Sequence, residues 1–98
     1  MQFEIDPQFE KEIEQITEWT GEWLKKIREY KRVDIPRLAD MTKVSKTYLS
    51  SIEEECFETL PPTAYVRGFV YQYAKCLKLN PELVCSSYLY RVKKAKGE

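Results

Sequence analysis

The sequence contains no histidine, and its three cysteines form no metal-binding or redox pattern. Histidine is the commonest general base and metal ligand in proteins, so its absence removes the usual residue of most hydrolases and metalloenzymes. Cys56, Cys76 and Cys85 contain no CxxC pair, and one thiol is left over if any two join. We therefore expect a non-enzymatic protein with no catalytic residues, metal or cofactor, in a reducing compartment.

Long apolar runs and an excess of either charge are also missing. No run approaches the roughly 20 apolar residues that cross a bilayer, so any membrane anchor would lie outside this chain. Sixteen acids balance sixteen bases, and no global field attracts nucleic acid or anionic lipid. The balance is not local, because residues 1–30 carry eight acids and four bases, whereas residues 61–98 carry seven bases and two acids. We expect a cytoplasmic protein.

Apolar residues recur at steps of three and four, which predicts helices, and no alternating pattern predicts a strand. The first stripe contains Phe9, Ile13, Ile16, Trp19, Trp23, Ile27 and Tyr30. Asp6 and Pro7 form a possible start for it, while Gly21 leaves open whether it forms one helix or two. Further helix starts are indicated at Asp34, at Ser45, at Pro61–Pro62 and at Asn80–Pro81.

These signals predict an all-α, compact five-helix bundle, with or without an extra N-terminal helix or arm. We divide the chain into an N-terminal extension or linker at residues 1–20, a domain at residues 21–92 and a basic tail at residues 93–98. Within the domain, the segment RLADMTKVSKTYLSSIEE has the apolar spacing of a helix-turn-helix, with the small Ala39 where two helices cross. Lys43 then lies at the turn, where it must adopt a left-handed or near-bridge backbone.

A helix-turn-helix suggests DNA binding, so the exposed face of its second helix is informative. That face is expected to show Ser45, Lys46, Thr47, Ser50, Ser51 and Glu54, with Glu53 and Glu55 beside it. For DNA the contacts would come from Lys46, Thr47, Ser50 and Ser51, although a single lysine offers little to phosphates. The run Glu53–Glu55 would repel a polyanion or form a solvated helix end, so DNA binding is an alternative and not the leading prediction.

The segment LPPTAYVRGFVYQYAK carries more ring surface than one core-facing stripe requires. On a helix Val66, Val70, Tyr73 and Leu77 form that stripe. Tyr65 and Phe69 fall on an adjoining strip, whereas Arg67 lies on the other, polar side. Another helix could cover the strip, such as the one carrying Trp19 and Trp23, but exposed aromatics are typical of interaction surfaces. The pattern therefore favours a protein-binding surface at Tyr65 and Phe69, and we group Arg67 with them as a third partner-binding residue.

The sequence YLSSIEEECFETLPPTAYVRGFVYQYAKCLKLNPE resembles the helix-turn-helix domain of the RodZ family of bacterial shape proteins. The resemblance covers about residues 21–92, and its most specific elements are the LP, YVRGF and YA blocks. It implies a repressor-like fold that binds the actin-like filament protein MreB through aromatics of the fourth helix, which match Tyr65 and Phe69. Arg67, an exposed or salt-bridged residue, and Gly68, interpreted as permitting close helix packing, belong to the same block.

The family also implies a location and an alternative. RodZ domains precede a basic juxtamembrane segment, so this could be the cytoplasmic domain of an inner-membrane protein, with Arg91–Lys96 as the start of that segment. Similar domains are fused to other bacterial domains, including J-domains, and then a different protein would be the partner. A small-molecule substrate is not expected in either case.

Overall fold

The computed structural model describes residues 4–98, and all regular structure in this range is helical. The α-helices are α1 (Pro7–Glu14), α2 (Gly21–Tyr30), α3 (Ile35–Thr42), α4 (Lys46–Glu54), α5 (Thr63–Cys76) and α6 (Pro81–Lys96). A short 3-10 turn, Phe57–Thr59, lies between α4 and α5. The all-α prediction is confirmed. The described residues form six helices where five were predicted, since the first apolar stripe forms two, and α1 is the extra N-terminal helix.

The predicted helix starts act as caps. They are Asp6 on α1, Asp34 on α3, Ser45 on α4 and Asn80 on α6. Each side chain accepts a hydrogen bond from a backbone N–H of the first turn, which satisfies donors that have no partner within the helix. The prolines before α5 differ slightly from expectation, because the helix begins at Thr63 and Pro62 precedes it.

The break between α1 and α2 lies at residues 15–20, and Gly21 is the first residue of α2, where the chain passes very close to α4. A Cβ atom at Gly21 would lie 2.3 Å from the carbonyl oxygen of Glu53 and 2.4 Å from that of Ile52. Only glycine fits such an approach. The hydroxyl of Thr20 caps α2 by accepting the Trp23 N–H at 3.2 Å. Trp19 consequently enters the core from the connector between the two helices and not from a helix face.

The turn between α3 and α4 has the predicted backbone, with Lys43 in the left-handed region at φ 61°. The Thr42 hydroxyl donates to the Leu38 carbonyl at 2.8 Å and accepts the Val44 N–H at 3.2 Å, so the turn is tied to the end of α3. Among the described residues, the non-glycine positions with positive φ are Arg32, Lys43, Glu55 and Lys78. Each lies at or just beyond the end of a helix, where glycine is the favoured residue.

The core is built around α5 and α6, which pack along one another, while α3 contacts both α4 and α5 and α2 contacts α4. The stripe predicted for α5 is confirmed: Val66, Val70, Tyr73 and Leu77 are all buried. This arrangement leaves one side of α5 next to α3 and another next to α6. Within residues 4–98, no helix combines the length and apolar character needed to cross a bilayer.

Candidate functional site

An exposed aromatic surface lies on α5 and α4. Tyr65 is 62% exposed, and Phe69, one turn later on the same side of α5, is partly buried. Phe69 is stacked on Tyr48 of α4, with ring centroids 5.5 Å apart and planes inclined by 23°. We call Tyr48, Tyr65 and Phe69 the aromatic patch. Sequence reasoning missed Tyr48, although its position four residues before the core residue Ile52 places it on the inward edge of α4.

Arg67 does not join this patch. Two residues after Tyr65, it lies about 200° around the helix, where it lines a groove between α5 and α6 of about 350 Å³. The same groove is lined by Tyr90 and Lys93 of α6. Arg67 is exposed, as predicted, and makes no ion pair with any of the described residues. The structure therefore separates Arg67 from the two aromatic residues with which it was grouped.

The interpretation of Gly68 as a packing residue is wrong. A Cβ atom at this position would meet no heavy atom within 4 Å, so no neighbouring helix approaches Gly68 closely. The residue that permits close helix packing is Gly21 instead. A glycine in an open helix interior costs stability relative to alanine, and nothing in the contacts of Gly68 explains that cost.

The polar face of α4 is smaller than the sequence suggested. Lys46, Thr47 and Ser50 are exposed and line a shallow depression of about 390 Å³. Ser51 also borders it but is itself buried, and its hydroxyl is hydrogen-bonded to that of Thr59 at 2.7 Å. The expectation that Ser51 lies on the exposed face is therefore corrected, because the 3-10 turn folds back against it.

Glu53 is likewise not a surface residue. Its carboxylate is buried and accepts hydrogen bonds from the Arg28 guanidinium at 2.6 and 3.0 Å and from the Tyr73 hydroxyl. Burial, together with the adjacent Glu53 charge, raises the pKa of Tyr73, so the phenol stays protonated and donates. The hydrogen bond to Glu53 raises the pKa of Arg28, although burial opposes this. The three side chains thus join α2, α4 and α5 through one carboxylate.

Glu55 forms a second interior connection, at the end of α4. Its carboxylate accepts the Gly21 N–H at 2.8 Å and the Arg91 guanidinium at 2.6 and 3.2 Å. Partial burial works against the charged form, but the hydrogen bonds from Arg91 and Gly21 lower the pKa of Glu55 overall. Arg91 also bonds Glu18 at 2.7 Å. Of the run Glu53–Glu55, only Glu54 is exposed, where it faces Lys25 at 3.7 Å.

The remaining reactive groups have the properties of structural residues. Burial raises the pKa of the Cys76 and Cys85 thiols, which keeps them protonated near neutral pH. The Cys85 thiol donates to the Arg67 carbonyl oxygen at 3.6 Å. Across residues 4–98, no cluster of carboxylates and thiols has an arrangement that could hold a metal ion.

Comparison with known proteins finds one matching domain family and one partly similar protein. A helix-turn-helix domain family matches residues 23–84, which includes α3, α4, α5 and the start of α6. An uncharacterized membrane protein of Bacillus subtilis (strain 168), YmfM, is 39% identical over 41 residues, which cover 42% of this chain and 14% of that protein. The chain therefore spans only a small part of this relative. No solved structure matches.

Proposed function

Since the chain belongs to this helix-turn-helix domain family, we propose that it is a non-enzymatic binding module that contacts a protein partner through the aromatic patch. The observation that carries the proposal is the exposure of Tyr65, 62%, next to the stacked pair Phe69 and Tyr48. A large exposed ring beside partly buried rings is the composition of an interface anchor. The tyrosine hydroxyl can stay hydrated while the ring becomes buried by a partner.

The proposed partner is an actin-like filament protein of the MreB type. Support comes from the resemblance of the YVRGF block to the RodZ family, in which aromatics at the positions of Tyr65 and Phe69 contact the filament. The geometry adds Tyr48 to this surface, so the second helix of the helix-turn-helix contributes to protein binding from its inward edge. Arg67, on the other side of α5, is not part of the proposed contact.

Co-sedimentation with polymerised MreB tests the proposal. The Tyr65→Ala chain should lose about tenfold or more in affinity, as truncation of a central aromatic anchor does. Phe69→Leu, which preserves most of the packing on Tyr48, should weaken binding less. Because Tyr65 is exposed, its removal should leave the helical circular dichroism signal and the unfolding midpoint nearly unchanged.

Tyr90→Ala is the matched control, because Tyr90 is also an exposed tyrosine, 67% accessible, but lies on α6. At low chain concentration, where the protein is monomeric, it should sediment with filaments as the unmodified chain does. If Tyr65→Ala binds as well as the unmodified chain, the aromatic patch is not the contact. If Tyr65→Ala and Tyr90→Ala weaken binding equally, the loss is not specific to the patch.

DNA binding is the second candidate function, and one structural observation favours it. The side chains of Lys46, Thr47 and Ser50 are uncovered on the second helix of the helix-turn-helix, the position from which such folds read the major groove. The ion pair of the buried Glu53 with Arg28 also neutralises one of the negative charges that would oppose a phosphate backbone. The single lysine on this face still provides little counterion release.

A mobility-shift assay at low salt distinguishes the two candidates. DNA binding through α4 predicts a complex that weakens steeply with salt and is lost in Lys46→Glu. That variant should leave filament binding unchanged, because Lys46 is outside the aromatic patch. A complex that persists in Lys46→Glu would exclude the α4 face as the DNA contact.

A further inference from the structure

A concave acidic surface lies where α1, the connector and α2 meet. This acidic hollow, of about 440 Å³, is lined by Glu12, Gln15, Ile16, Thr17, Glu18, Thr20, Glu22 and Trp23. Its carboxylates are exposed, while Ile16 and Trp23 are only partly accessible and give it an apolar lining. Neither Glu12 nor Glu22 has an ion-pair partner among residues 4–98. The hollow therefore presents two unpaired carboxylates, Glu12 and Glu22, beside the partly exposed side chains of Ile16 and Trp23.

A surface of opposite charge lies on α6. This α6 ridge consists of Leu83, Tyr90, Lys93 and Lys94. Tyr90 is 67% exposed and Leu83 61%, which makes them two of the largest exposed apolar side chains of the described residues. They are seven residues apart and so lie on one side of the helix. Lys93 and Lys94 are exposed and have no ion-pair partner in the described part of the chain.

The hollow and the ridge are neighbours on the same molecule. Arg91, adjacent to Tyr90, bonds Glu18 of the hollow at 2.7 Å, and Ser87 of α6 accepts the Trp19 N–H at 2.7 Å. An exposed ring and an oppositely charged hollow that lie side by side allow a two-fold symmetric contact, in which the ridge of each copy meets the hollow of the other. Surfaces on opposite ends of the molecule would instead produce an open chain of copies.

We propose that the acidic hollow and the α6 ridge form a self-association surface, whose occupant is a second copy of this chain. Tyr90 of each copy enters the hollow of the other and packs on Ile16 and Trp23, while Lys93 and Lys94 approach Glu12 and Glu22. The contact is separate from the aromatic patch, so the dimer presents two patches for a partner. Its apolar centre is small, and the association is therefore weak and salt-dependent.

Sedimentation equilibrium of the full chain, over a wide concentration range and at two salt concentrations, tests this proposal. The unmodified chain should form dimers at high concentration and low salt, and added salt should weaken them. Tyr90→Ser should weaken association by about tenfold or more, because it removes the central ring. Tyr65→Ser is the matched control: it removes an equally exposed tyrosine from another surface and should dimerise as the unmodified chain does.

A charge exchange tests the pairing of the two surfaces. Lys94→Glu alone and Glu12→Lys alone should each weaken the dimer, since each places like charges opposite one another. The chain carrying both changes should regain most of the lost affinity. Both positions are exposed, so the fold should be unaffected, and circular dichroism checks this.

The proposal is overturned if the unmodified chain stays monomeric up to the millimolar range at low salt. It is also overturned if a dimer forms but Tyr90→Ser and Tyr65→Ser weaken it equally, or if the double charge exchange fails to restore it. Filament binding by Tyr90→Ser chains is measured separately, so failure of self-association leaves the proposed partner contact standing.

Discussion

At the N-terminal end of α4, Lys46, Thr47 and Ser50 are open to solvent, whereas at its C-terminal end Ser51, Glu53 and Glu55 bond other parts of the fold. The two ends have similarly polar sequences, so composition does not distinguish them. The difference arises because α2, α5, α6 and the 3-10 turn all place hydrogen-bonding groups beside the last turn of α4. A run of acidic residues is therefore no evidence of a charged surface until its partners are known.

The largest effect is expected from Glu53→Ala. It leaves the Arg28 guanidinium and the Tyr73 hydroxyl buried without their acceptor, and breaking a buried ion pair from one side costs about 3–5 kcal/mol. Urea unfolding measures this loss. Glu54→Ala, the next residue along, removes only a surface pair with Lys25 and should change stability by less than about 1 kcal/mol. Equal losses at the two positions would show that the buried partners of Glu53 add nothing to stability.

Gly21→Ala is expected to have the next largest effect. The added methyl group would meet the carbonyl oxygens of Ile52 and Glu53, and overpacking of this kind costs about 1–3 kcal/mol. Gly68→Ala is the matched control, because the space around Gly68 is open and alanine there should stabilise the helix by about 0.5–1 kcal/mol. Thermal unfolding should shift in opposite directions for the two variants. A shift in the same direction would show that close packing is not what requires glycine at position 21.

Glu55→Gln should produce a smaller loss that depends on pH. The hydrogen bonds from Arg91 and Gly21 hold the folded-state pKa of Glu55 below its ordinary value, so the charged carboxylate stabilises the fold fully above that ordinary value. This contribution is lost as the pH falls through the folded-state pKa. Near neutral pH we expect a loss of about 1–2 kcal/mol relative to the unmodified chain. The difference should shrink in acid. A loss that is constant from neutral to acidic pH would mean that the charge of Glu55 is unimportant.

The smallest effect is expected at the other end of the helix. Replacing both Lys46 and Ser50 by alanine should change the free energy of unfolding by less than about 0.5 kcal/mol, as exposed substitutions usually do. Urea unfolding of this variant and of Glu53→Ala would compare how much each end of α4 contributes to the free energy of unfolding. A loss comparable to that of Glu53→Ala would mean that the N-terminal end of α4 also has structural partners.

The fold could be predicted from the sequence where signals are local. Caps at Asp6, Asp34 and Asn80 and the period of the α5 stripe each depend on neighbours within one or two turns, and all were found in the structure. The left-handed turn at Lys43 belongs to the same class. These features can be predicted without knowing which helices pack against one another.

The features that were missed depend on contacts between distant segments. Glu53 becomes an interior residue only because Arg28 and Tyr73 arrive from 25 and 20 residues away. Close helix packing was assigned to Gly68 and not to Gly21 for the same reason, since the neighbours of a glycine cannot be determined from its own helix. The available sequence signal for the burial of Glu53 was its position next to the apolar residue Ile52, and that signal was insufficient.

The backbone at Glu55 has a consequence for how this domain could change by mutation. At φ 56° a glycine would relax the chain, yet it would also discard the carboxylate that holds Gly21 and Arg91. Position 55 is thus a site of local frustration. Its left-handed backbone favours glycine, whereas the hydrogen bonds to Gly21 and Arg91 require glutamate. Among the described residues, the side chains of Arg32, Lys43 and Lys78 make no hydrogen bond that glycine would remove. An evolving sequence could therefore replace them by glycine more freely than it could replace Glu55.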